Sequence, residues 1–241
     1  MIDMAAAPDR EELLAAYALP DRETPRIRMN FVMSLDGAVA LDGRSGGLGD
    51  AADRLAMGVL RTLADVVLVG AGTVRAEGYG GLAVDEADAA WRVARGLPEQ
   101  PRLAVVSSSL DLDPESAFFR AAVTRPIVVT HAAASEARRA ALERVADVVI
   151  VGEREVDVRG MLDGFAAMGL RQVLCEGGPH LFGSLLDADL VDELCLSLSP
   201  LLVSGGAGRI AQGLNQHARR MRLVHALPAH DLLLLRYARA R

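Results

Sequence analysis

Short apolar runs alternate along this chain with longer segments of helical periodicity, and that alternation restricts the possible folds more than any other feature. Six runs rich in valine, isoleucine and leucine predict strands, at residues 26–34, 65–70, 102–108, 126–130, 147–151 and 172–176. We expect these runs to be buried on both faces, which is typical of parallel sheets covered by helices. The pattern predicts an α/β protein with a mixed, mainly parallel central sheet and helices on both faces.

Helical spacing predicts the covering helices, after a short helical patch near the N-terminus, at residues 51–64, 85–96, 133–146, 158–169 and 179–188. Ser135 predicts the start of one of these helices and Gly169 the end of another. Beyond residue 190 the pattern is of strands only, and we expect them to add antiparallel to one edge of the sheet. We expect residues 1–25 to form an N-terminal extension and residues 26–241 a single domain.

The composition is typical of an ordered, acidic protein. Hydrophobic residues make up 51% of the 241 residues, aromatic residues only 4%, and the net charge is −6. This apolar content excludes a disordered chain, and the few aromatic rings argue against a base-stacking surface. Because an acidic protein repels phosphate polymers and anionic lipids, we expect neither nucleic acid nor a membrane surface as a partner.

All 26 basic residues are arginine, since the sequence contains no lysine. Schiff-base catalysis, a pyridoxal phosphate linkage and a Walker phosphate loop each need a lysine amine, so these chemistries are excluded. Cys175 and Cys195 fall within apolar runs, and the histidines have no metal-ligand spacing with them, so we expect neither a disulfide nor a metal site. Without a signal peptide or a membrane-length apolar stretch, we expect a cytoplasmic protein.

The first glycine-containing segment follows the first predicted strand. The strand ends in Ser-Leu-Asp-Gly at residues 34–37 and is followed by a glycine-rich loop at residues 42–49. Open α/β sheets bind ligands at the carboxyl ends of their strands, where glycine lets a ligand approach the backbone closely. The alternative is a tight turn in which Ser34 and Asp36 satisfy their own backbone.

Two further segments have the same strand-to-glycine character. In V-G-A-G-T-V-R, at residues 69–75, the glycines indicate a phosphate-binding turn or simply a strand end, and the full dinucleotide motif is absent. In C-E-G-G-P-H-L-F-G-S, at residues 175–184, the glycines and Pro179 expose a helix N-terminus to an anion. Glu176 at the end of its apolar strand predicts either a substrate hydrogen bond or a capping or ion-pair role.

Together these segments resemble the riboflavin-biosynthesis pyrimidine reductase family, which is the reductase domain of a bifunctional deaminase-reductase. The resemblance spans residues 26–239, and its matching motifs are N-F-V-M-S-L-D-G from Asn30, S-G-G from Ser45, Leu-Arg ending at Arg61, V-G-A-G-T ending at Thr73 and E-G-G from Glu176. It implies a dihydrofolate-reductase-like fold with three layers. The H-x-E and P-C-x-x-C motifs of the zinc deaminase are absent from the sequence.

The resemblance also implies roles for individual residues and NADPH as the cofactor. Substrate would meet Ser45, Arg61 and Glu176, and catalysis would involve Glu176 together with Asp36, which holds its loop or relays a proton. The backbone from Gly178 to Ser184 would hold the pyrophosphate, although an exposed position for His180 is the common alternative. The implied cofactor contacts are Val32, Gly47, Gly70, Gly72, Thr73, Glu77, Ser107, Ser108, Gly177, Gly178, Pro179, His180, Leu181 and Phe182.

The sequence departs from the family pattern at three places. The family lysine is Asn30, the family tryptophan is Gly47, and the D-D-P-x-x-x-x-R phosphate segment is E-G-Y-G-G-L-A-V at residues 77–84. Arginine is the natural bidentate phosphate ligand, so its absence there weakens the case for a phosphorylated substrate. The candidates to replace it are Arg75, Arg92 and Arg95.

Three functions are consistent with these features. The first is an NADPH-dependent reductase acting on the ring-opened imine of a 5-amino-6-(5-phosphoribosylamino)uracil-type pyrimidine, with hydride passing to the ribosyl C1. The second is a dihydrofolate or pterin reductase, and the third is a non-catalytic nucleotide-binding protein, against which Glu176 argues. We expect NADPH rather than NADH because no acidic residue is placed to bind a ribose 2′-hydroxyl. We expect a homodimer because the C-terminal strands would otherwise expose an apolar edge.

Overall fold

The structure is a computed structural model, and it describes residues 7–216 and 218–240. The strands within this part of the chain are β1 Arg26–Ser34, β2 Val66–Gly70, β3 Arg102–Val106, β4 Ile127–Thr130, β5 Asp147–Ile150, β6 Gln172–Cys175, β7 Glu193–Ser199, β8 Met221–Ala229 and β9 Leu232–Arg239. The helices are α1 Arg10–Tyr17, α2 Ala51–Leu63, α3 Ala71–Glu77, α4 Glu86–Val93, α5 Ala117–Arg120, α6 Glu136–Leu142, α7 Val158–Ala167 and α8 Pro179–Asp187.

The strands form one sheet in the order β5-β4-β3-β2-β6-β1-β7-β9-β8. Pairing is parallel from β5 through to β7, and it is antiparallel between β7 and β9 and between β9 and β8. The predicted α/β fold with a mainly parallel sheet is therefore confirmed. The expectation that every late strand is antiparallel is wrong for β7, which inserts beside β1 in parallel register.

Alternate side chains of the central strands enter two apolar layers. Val67 and Val69 of β2 pack with α1 and α2 on one face, whereas Val66 and Leu68 pack with α7 and α8 on the other. Burial on both faces explains why the strands are continuous apolar runs. The expectation fails for β5, which is the edge strand and exposes Asp147 and Ile150 because it has only one neighbouring strand.

The predicted helices are present, with differences at their ends. Ser135 caps α6 as expected, and Gly169 follows α7 with φ +78°. The segment predicted as a helix at residues 133–146 is helical only over Glu136–Leu142. Helices α3 and α5 were not predicted, because glycines precede and interrupt α3 and α5 is a single turn.

A buried charge cluster ties α1 to the sheet. Glu193 on β7 accepts hydrogen bonds from Arg28 on β1 (2.8 Å) and from Arg236 on β9 (2.8 Å). These arginines also donate to carbonyl oxygens at the end of α1, with Arg28 reaching Tyr17 at 3.0 Å and Arg236 reaching Ala16 at 2.7 Å. The C-terminal end of the first helix therefore packs on the strands that carry the site described below.

Residues 7–216 and 218–240 contain neither a membrane-spanning helix nor a cluster of metal-ligating side chains. No helix there has the length and apolar character to cross a bilayer. Nor does that part of the chain bring three or more His, Cys, Asp or Glu side chains together in a way that could hold a metal ion. Both cysteines are free and buried, as their apolar runs predict.

Candidate active site

Two adjoining cavities lie at the carboxyl ends of β1, β2, β3 and β6. The smaller has a volume of about 350 Å³ and the larger about 920 Å³. They share the residues Val39, Thr73, Glu77, Gly178 and Pro179. Because both cavities open where parallel strands end, they occupy the position at which open α/β sheets bind ligands.

An ion pair lines the smaller cavity. Glu176 directly follows β6, and Arg61 lies in the last turn of α2. Arg61 donates from Nε to Glu176 Oε1 and from Nη2 to Oε2, each at 2.7 Å, and also from Nη2 to the Tyr79 hydroxyl at 2.9 Å. The Tyr79 hydroxyl donates to Glu176. The ion-pair role anticipated for Glu176 is therefore present, within a cavity wall that a ligand can reach.

Burial and charge keep these three groups in defined protonation states. Burial, and then the Glu176 carboxylate, raise the pKa of Tyr79 well above its usual value, so the phenol stays protonated. Burial alone would lower the pKa of Arg61, but the Glu176 carboxylate raises it, so the guanidinium stays charged. The side chains of Arg61 and Glu176 are only 21% and 6% exposed. The pair is a fixed charge arrangement that a substrate can use without reorganisation.

The larger cavity collects most of the residues that the resemblance assigns to the cofactor. Its wall contains the end of β2, the loop after β3 and the first turn of α8; the predicted cofactor residues in it are Gly70, Gly72, Thr73, Glu77, Ser107, Ser108, Gly178, Pro179, His180 and Leu181. Ser184 also lines it. Val32, Ser45 and Gly177 line the smaller cavity instead. These fourteen residues surround one continuous pair of cavities.

Close packing of the chain shapes the boundary between the cavities. A Cβ added to Gly178 would lie 2.7 Å from Thr73 Oγ1, and one added to Gly70 would lie 3.2 Å from the backbone nitrogen of Gly178. Gly177 has φ +109°, which disfavours any side chain there. Only glycine lets the end of β2 and the start of α8 approach this closely.

Polar groups without partners lie along the larger cavity. Gly178 caps α8 with no side-chain hydrogen bond, so the first amides of that helix face the cavity. The Ser107 hydroxyl is buried and, among the described residues, has no hydrogen-bond partner. Arg75 and Arg154 line the same cavity, and so do two glutamates. An elongated anion with hydrogen-bonding groups matches these features.

Three of the predicted site residues do not line either cavity. Phe182 is buried behind Phe31, a residue of the smaller cavity wall, and the two rings stack with centroids 5.2 Å apart. Gly47 lies beside Leu41, so that an added Cβ would be 3.3 Å from Leu41 Cδ2. Asp36 lies in the turn after β1. The sequence motifs placed all three near the site, but none of them lines either cavity.

Asp36 holds two loops together. It accepts hydrogen bonds from the Ser34 hydroxyl and from the backbone nitrogens of Val203, at 3.1 Å, and Ser204, at 2.7 Å. The hydrogen bond from Ser34, followed by those from Ser204 and Val203, lowers the pKa of Asp36 to about 2. Of the two roles left open for Asp36, these contacts favour loop anchoring over proton relay.

The three arginines considered as replacements for the family's phosphate ligand lie in different places. Arg92 is 0% exposed and donates to the carbonyl oxygens of Thr62, Ala64 and Pro98, so its proposed phosphate role is wrong. Arg95 stacks over Trp91, with its guanidinium carbon 3.9 Å from the ring centroid. Arg75 lines the larger cavity.

The sequence reasoning missed several residues that line the smaller cavity, four of them polar or on α2. They are Asp53, Arg54, Met57 and Tyr79. Asp53, Met57 and Arg61 are four residues apart on α2, so this spacing would have placed all three on one helix face. Tyr79 has no such signal, because it follows the left-handed Gly78 at the end of α3 and reaches Glu176 across 97 residues of sequence.

Comparison with known proteins identifies the family. The model of the RibD C-terminal domain matches residues 25–233. The chain belongs to the RibD C-terminal domain family. It is 31% identical, over 202 residues that make up 83% of this chain and 90% of the relative, to a protein of Methanothermobacter thermautotrophicus named 2,5-diamino-6-ribosylamino-4(3H)-pyrimidinone 5′-phosphate reductase. The resemblance inferred from the motifs is therefore confirmed.

Two further similar proteins extend this finding. The riboflavin biosynthesis protein RibD of Mycobacterium tuberculosis is 30% identical over 184 residues, which are 75% of this chain and 44% of that protein. The crystal structure of a pyrimidine reductase-like protein from Corynebacterium diphtheriae superposes with a TM-score of 0.86 at 27% identity, covering 95% of this chain and 98% of the other. The second match confirms the architecture over nearly the whole chain.

Proposed function

We propose that this chain is a riboflavin-biosynthesis reductase that uses NADPH to reduce the ribosyl C1 imine of a phosphoribosylamino pyrimidine. The observation that carries this proposal is the meeting of the two cavities at Thr73 and Gly178, with the Arg61–Glu176 pair on one side and the α8 N-terminus on the other. A hydride transfer needs this arrangement, because donor and acceptor carbons must be held against each other. The reductase names of the relatives point to the same chemistry.

The larger cavity suits a nicotinamide dinucleotide. The free amides of α8 would hold the pyrophosphate, and the unpartnered Ser107 hydroxyl would bind the adenosine end. Arg75 and Arg154 supply positive charge for a 2′-phosphate, which supports NADPH rather than NADH. When bound, the reduced nicotinamide supplies the hydride.

The smaller cavity suits the pyrimidine and its sugar phosphate. The Nε and Nη2 atoms of Arg61 donate hydrogen bonds to Glu176 and Tyr79. Its Nη1 forms no hydrogen bond with any described residue, so Nη1 can donate to a phosphate or a hydroxyl of the substrate. Arg54 also lines this cavity, is exposed, and forms no ion pair with any described residue. The Glu176 carboxylate can accept a further hydrogen bond from a sugar hydroxyl.

A pterin reductase activity is the second candidate. Residues 77–84 contain no arginine, and Arg92 is held by backbone carbonyls, so the family's own phosphate ligand has no direct equivalent. A substrate without phosphate would not need that ligand.

The test follows consumption of NADPH with three substrates in parallel: a 2,5-diaminopyrimidinone ribosylamine phosphate, its deaminated uracil counterpart and a dihydropterin. We expect turnover with one or both pyrimidines and little with the pterin. Turnover with the pterin alone would favour the second candidate. Tight NADPH binding with no turnover on any of the three would favour a non-catalytic nucleotide-binding protein.

We also propose that the protein is a cytoplasmic homodimer. Strand β8 is an edge strand that exposes Leu223 and Val224, which symmetric pairing with a second copy would cover. The free, buried thiols of Cys175 and Cys195 support a reducing compartment.

A further inference from the structure

Asp53 is a carboxyl group in the smaller cavity to which no role has yet been given. It lies in the first turn of α2, and Met57 and Arg61 follow it at four-residue spacing on the same helix face. All three side chains line the cavity. Asp53 therefore lies two helical turns from the Arg61–Glu176 pair and shares its cavity.

The strands beneath Asp53 place its carboxyl close to Asn30, where this chain departs from the family pattern. The Ser197 hydroxyl of β7 is near enough to the Asp53 carboxyl to lower its pKa, and Ser197 is the register partner of Val32 on β1. Asn30 lies two residues before Val32, on the same face of the strand, and also lines the cavity. The Asp53 carboxyl thus shares its cavity wall with the neutral amide of Asn30.

The surroundings of Asp53 favour its protonated form. Burial raises the pKa of Asp53, and the nearby Asp50 and Glu176 carboxylates raise it further, whereas Ser197 and Arg54 lower it. Among the described residues no arginine or histidine lies within 4.0 Å of its carboxylate oxygens. A Cβ added to Gly49 would overlap Asp53 Oδ2, so the carboxyl is held against the backbone of the glycine loop.

Resting on the proposed function, we propose that Asp53 is the proton donor to the substrate nitrogen during imine reduction. Atoms and charge balance in the step. The C–H bond forms at the imine carbon with the hydride of the reduced nicotinamide, which is oxidised, while the C=N π bond breaks. The π electrons take the proton of the Asp53 carboxyl at nitrogen, and the carboxylate then recovers a proton from water.

The other two acidic side chains that line the cavity already accept hydrogen bonds from the protein. Glu176 accepts from both Arg61 nitrogens and from Tyr79, and Glu77 accepts from the Ser45 backbone nitrogen at 2.9 Å. The Tyr79 hydroxyl donates its hydrogen bond to Glu176, and its raised pKa makes it a weak acid. Asp53 combines a raised pKa with access to the cavity, and it forms no ion pair with any described residue.

The experiment compares the wild-type protein with Asp53→Asn, measuring kcat across pH at saturating NADPH and pyrimidine substrate. For the wild type, we expect kcat to fall as pH rises through the pKa of Asp53, because only the protonated carboxyl donates. For Asp53→Asn, we expect kcat to fall about 100-fold and to lose that descending limb. KM and NADPH affinity should change little, since asparagine matches the protonated carboxyl in size and charge.

Two variants and one spectrum complete the test. Asp50→Asn is the matched control, because asparagine caps a helix as well as aspartate does. It should keep the wild-type rate at low pH and keep the descending limb, moved to lower pH because the Asp50 carboxylate no longer raises the pKa of Asp53. Gly49→Ala keeps the carboxyl but displaces it, and should also be slow. A ¹³C-carboxyl NMR titration without cofactor should show an aspartate with a raised pKa in the wild type that is missing from Asp53→Asn.

The outcomes separate this proposal from the proposed function. A wild-type protein that reduces no pyrimidine overturns both. A wild-type protein that is active, beside an Asp53→Asn variant that keeps its rate and pH limb, overturns the role of Asp53 alone. If Asp53→Asn does not fold, a wild-type rate in Gly49→Ala overturns it.

Discussion

Replacing Glu176 with glutamine removes the charge of the cavity carboxylate and keeps its shape. In the wild type, two Glu176 oxygens accept hydrogen bonds from Arg61, each at 2.7 Å. Glutamine offers Arg61 only one acceptor oxygen. Breaking a fully buried ion pair costs about 3–5 kcal/mol. Because Arg61 is 21% exposed and keeps one hydrogen bond, we expect a smaller loss, about 1–2 kcal/mol in the free energy of unfolding.

The effect on catalysis should be larger than the effect on stability. Loss of a pre-organised charge at the reacting end of the substrate costs about 2–4 kcal/mol, or roughly 30- to 1000-fold in kcat/KM. NADPH affinity should remain near wild type, since Glu176 does not line the larger cavity. The assay combines kcat/KM for the pyrimidine, NADPH binding by fluorescence and thermal melts.

The control is Glu136→Gln, which neutralises an exposed glutamate at the start of α6 and should change none of the three measurements. Arg61→Ala should raise KM for a phosphorylated pyrimidine while leaving any pterin turnover nearly unchanged. The reasoning is refuted if Glu176→Gln weakens NADPH binding and lowers the melting temperature in proportion to kcat/KM, because the pair would then be purely structural.

Three further predictions concern other parts of the fold. Gly178→Ala should weaken NADPH binding, measured by fluorescence titration, because its Cβ would lie 2.7 Å from Thr73 Oγ1; unchanged affinity would contradict the α8 site. Burial alone would raise the pKa of Glu193, but Arg28 and Arg236 lower it, so its contribution to stability should be present above the unfolded pKa and lost as pH falls through the folded one. In denaturant unfolding experiments, the free energy of unfolding of Glu193→Gln should not fall with decreasing pH in this way. A fall as steep as in the wild type would contradict this role of Glu193. Light scattering at micromolar concentration should give the mass of a dimer. A fully active monomer would contradict the proposed pairing of two copies through β8.

The strands were predictable because strands that are buried on both faces consist of continuous runs of apolar residues. Residues 26–34 form a strand with those same limits, and the β2, β3, β4 and β6 predictions differ by one or two residues. The partner of each strand was less predictable. The run that contains β7 resembles the run that contains β9 in its apolar character, yet β7 lies parallel to its neighbour β1 and β9 lies antiparallel to β7.

Local propensity failed where packing decides the backbone. The glycines of V-G-A-G-T indicated a turn, yet α3 begins at Ala71 directly after β2 and includes Gly72. Glycine costs a helix about 1 kcal/mol relative to alanine, and packing of Ala71 and Val74 in the core outweighs that cost.

The candidate site was predictable where a motif marks it and hidden where it depends on long-range contacts. Glu176 and Arg61 were found from their motifs, but their direct pairing joins residues 115 positions apart and could not be read from either motif. Asp36 was placed near the chemistry by its motif, although its carboxyl turns toward the backbone of Val203 and Ser204. Side-chain direction in loops is set by contacts that the sequence pattern does not contain.

The central claim is that hydride passes to the ribosyl C1 of a pyrimidine held in the smaller cavity. NADPH carrying deuterium at the transferred position, incubated with the protein and the ribosylaminopyrimidine phosphate, tests it directly when the product is analysed by mass spectrometry and NMR. The account predicts a ribitylamino product with one deuterium, located on C1. An unreduced substrate, or deuterium on the pyrimidine ring or at another carbon of the sugar, would contradict it.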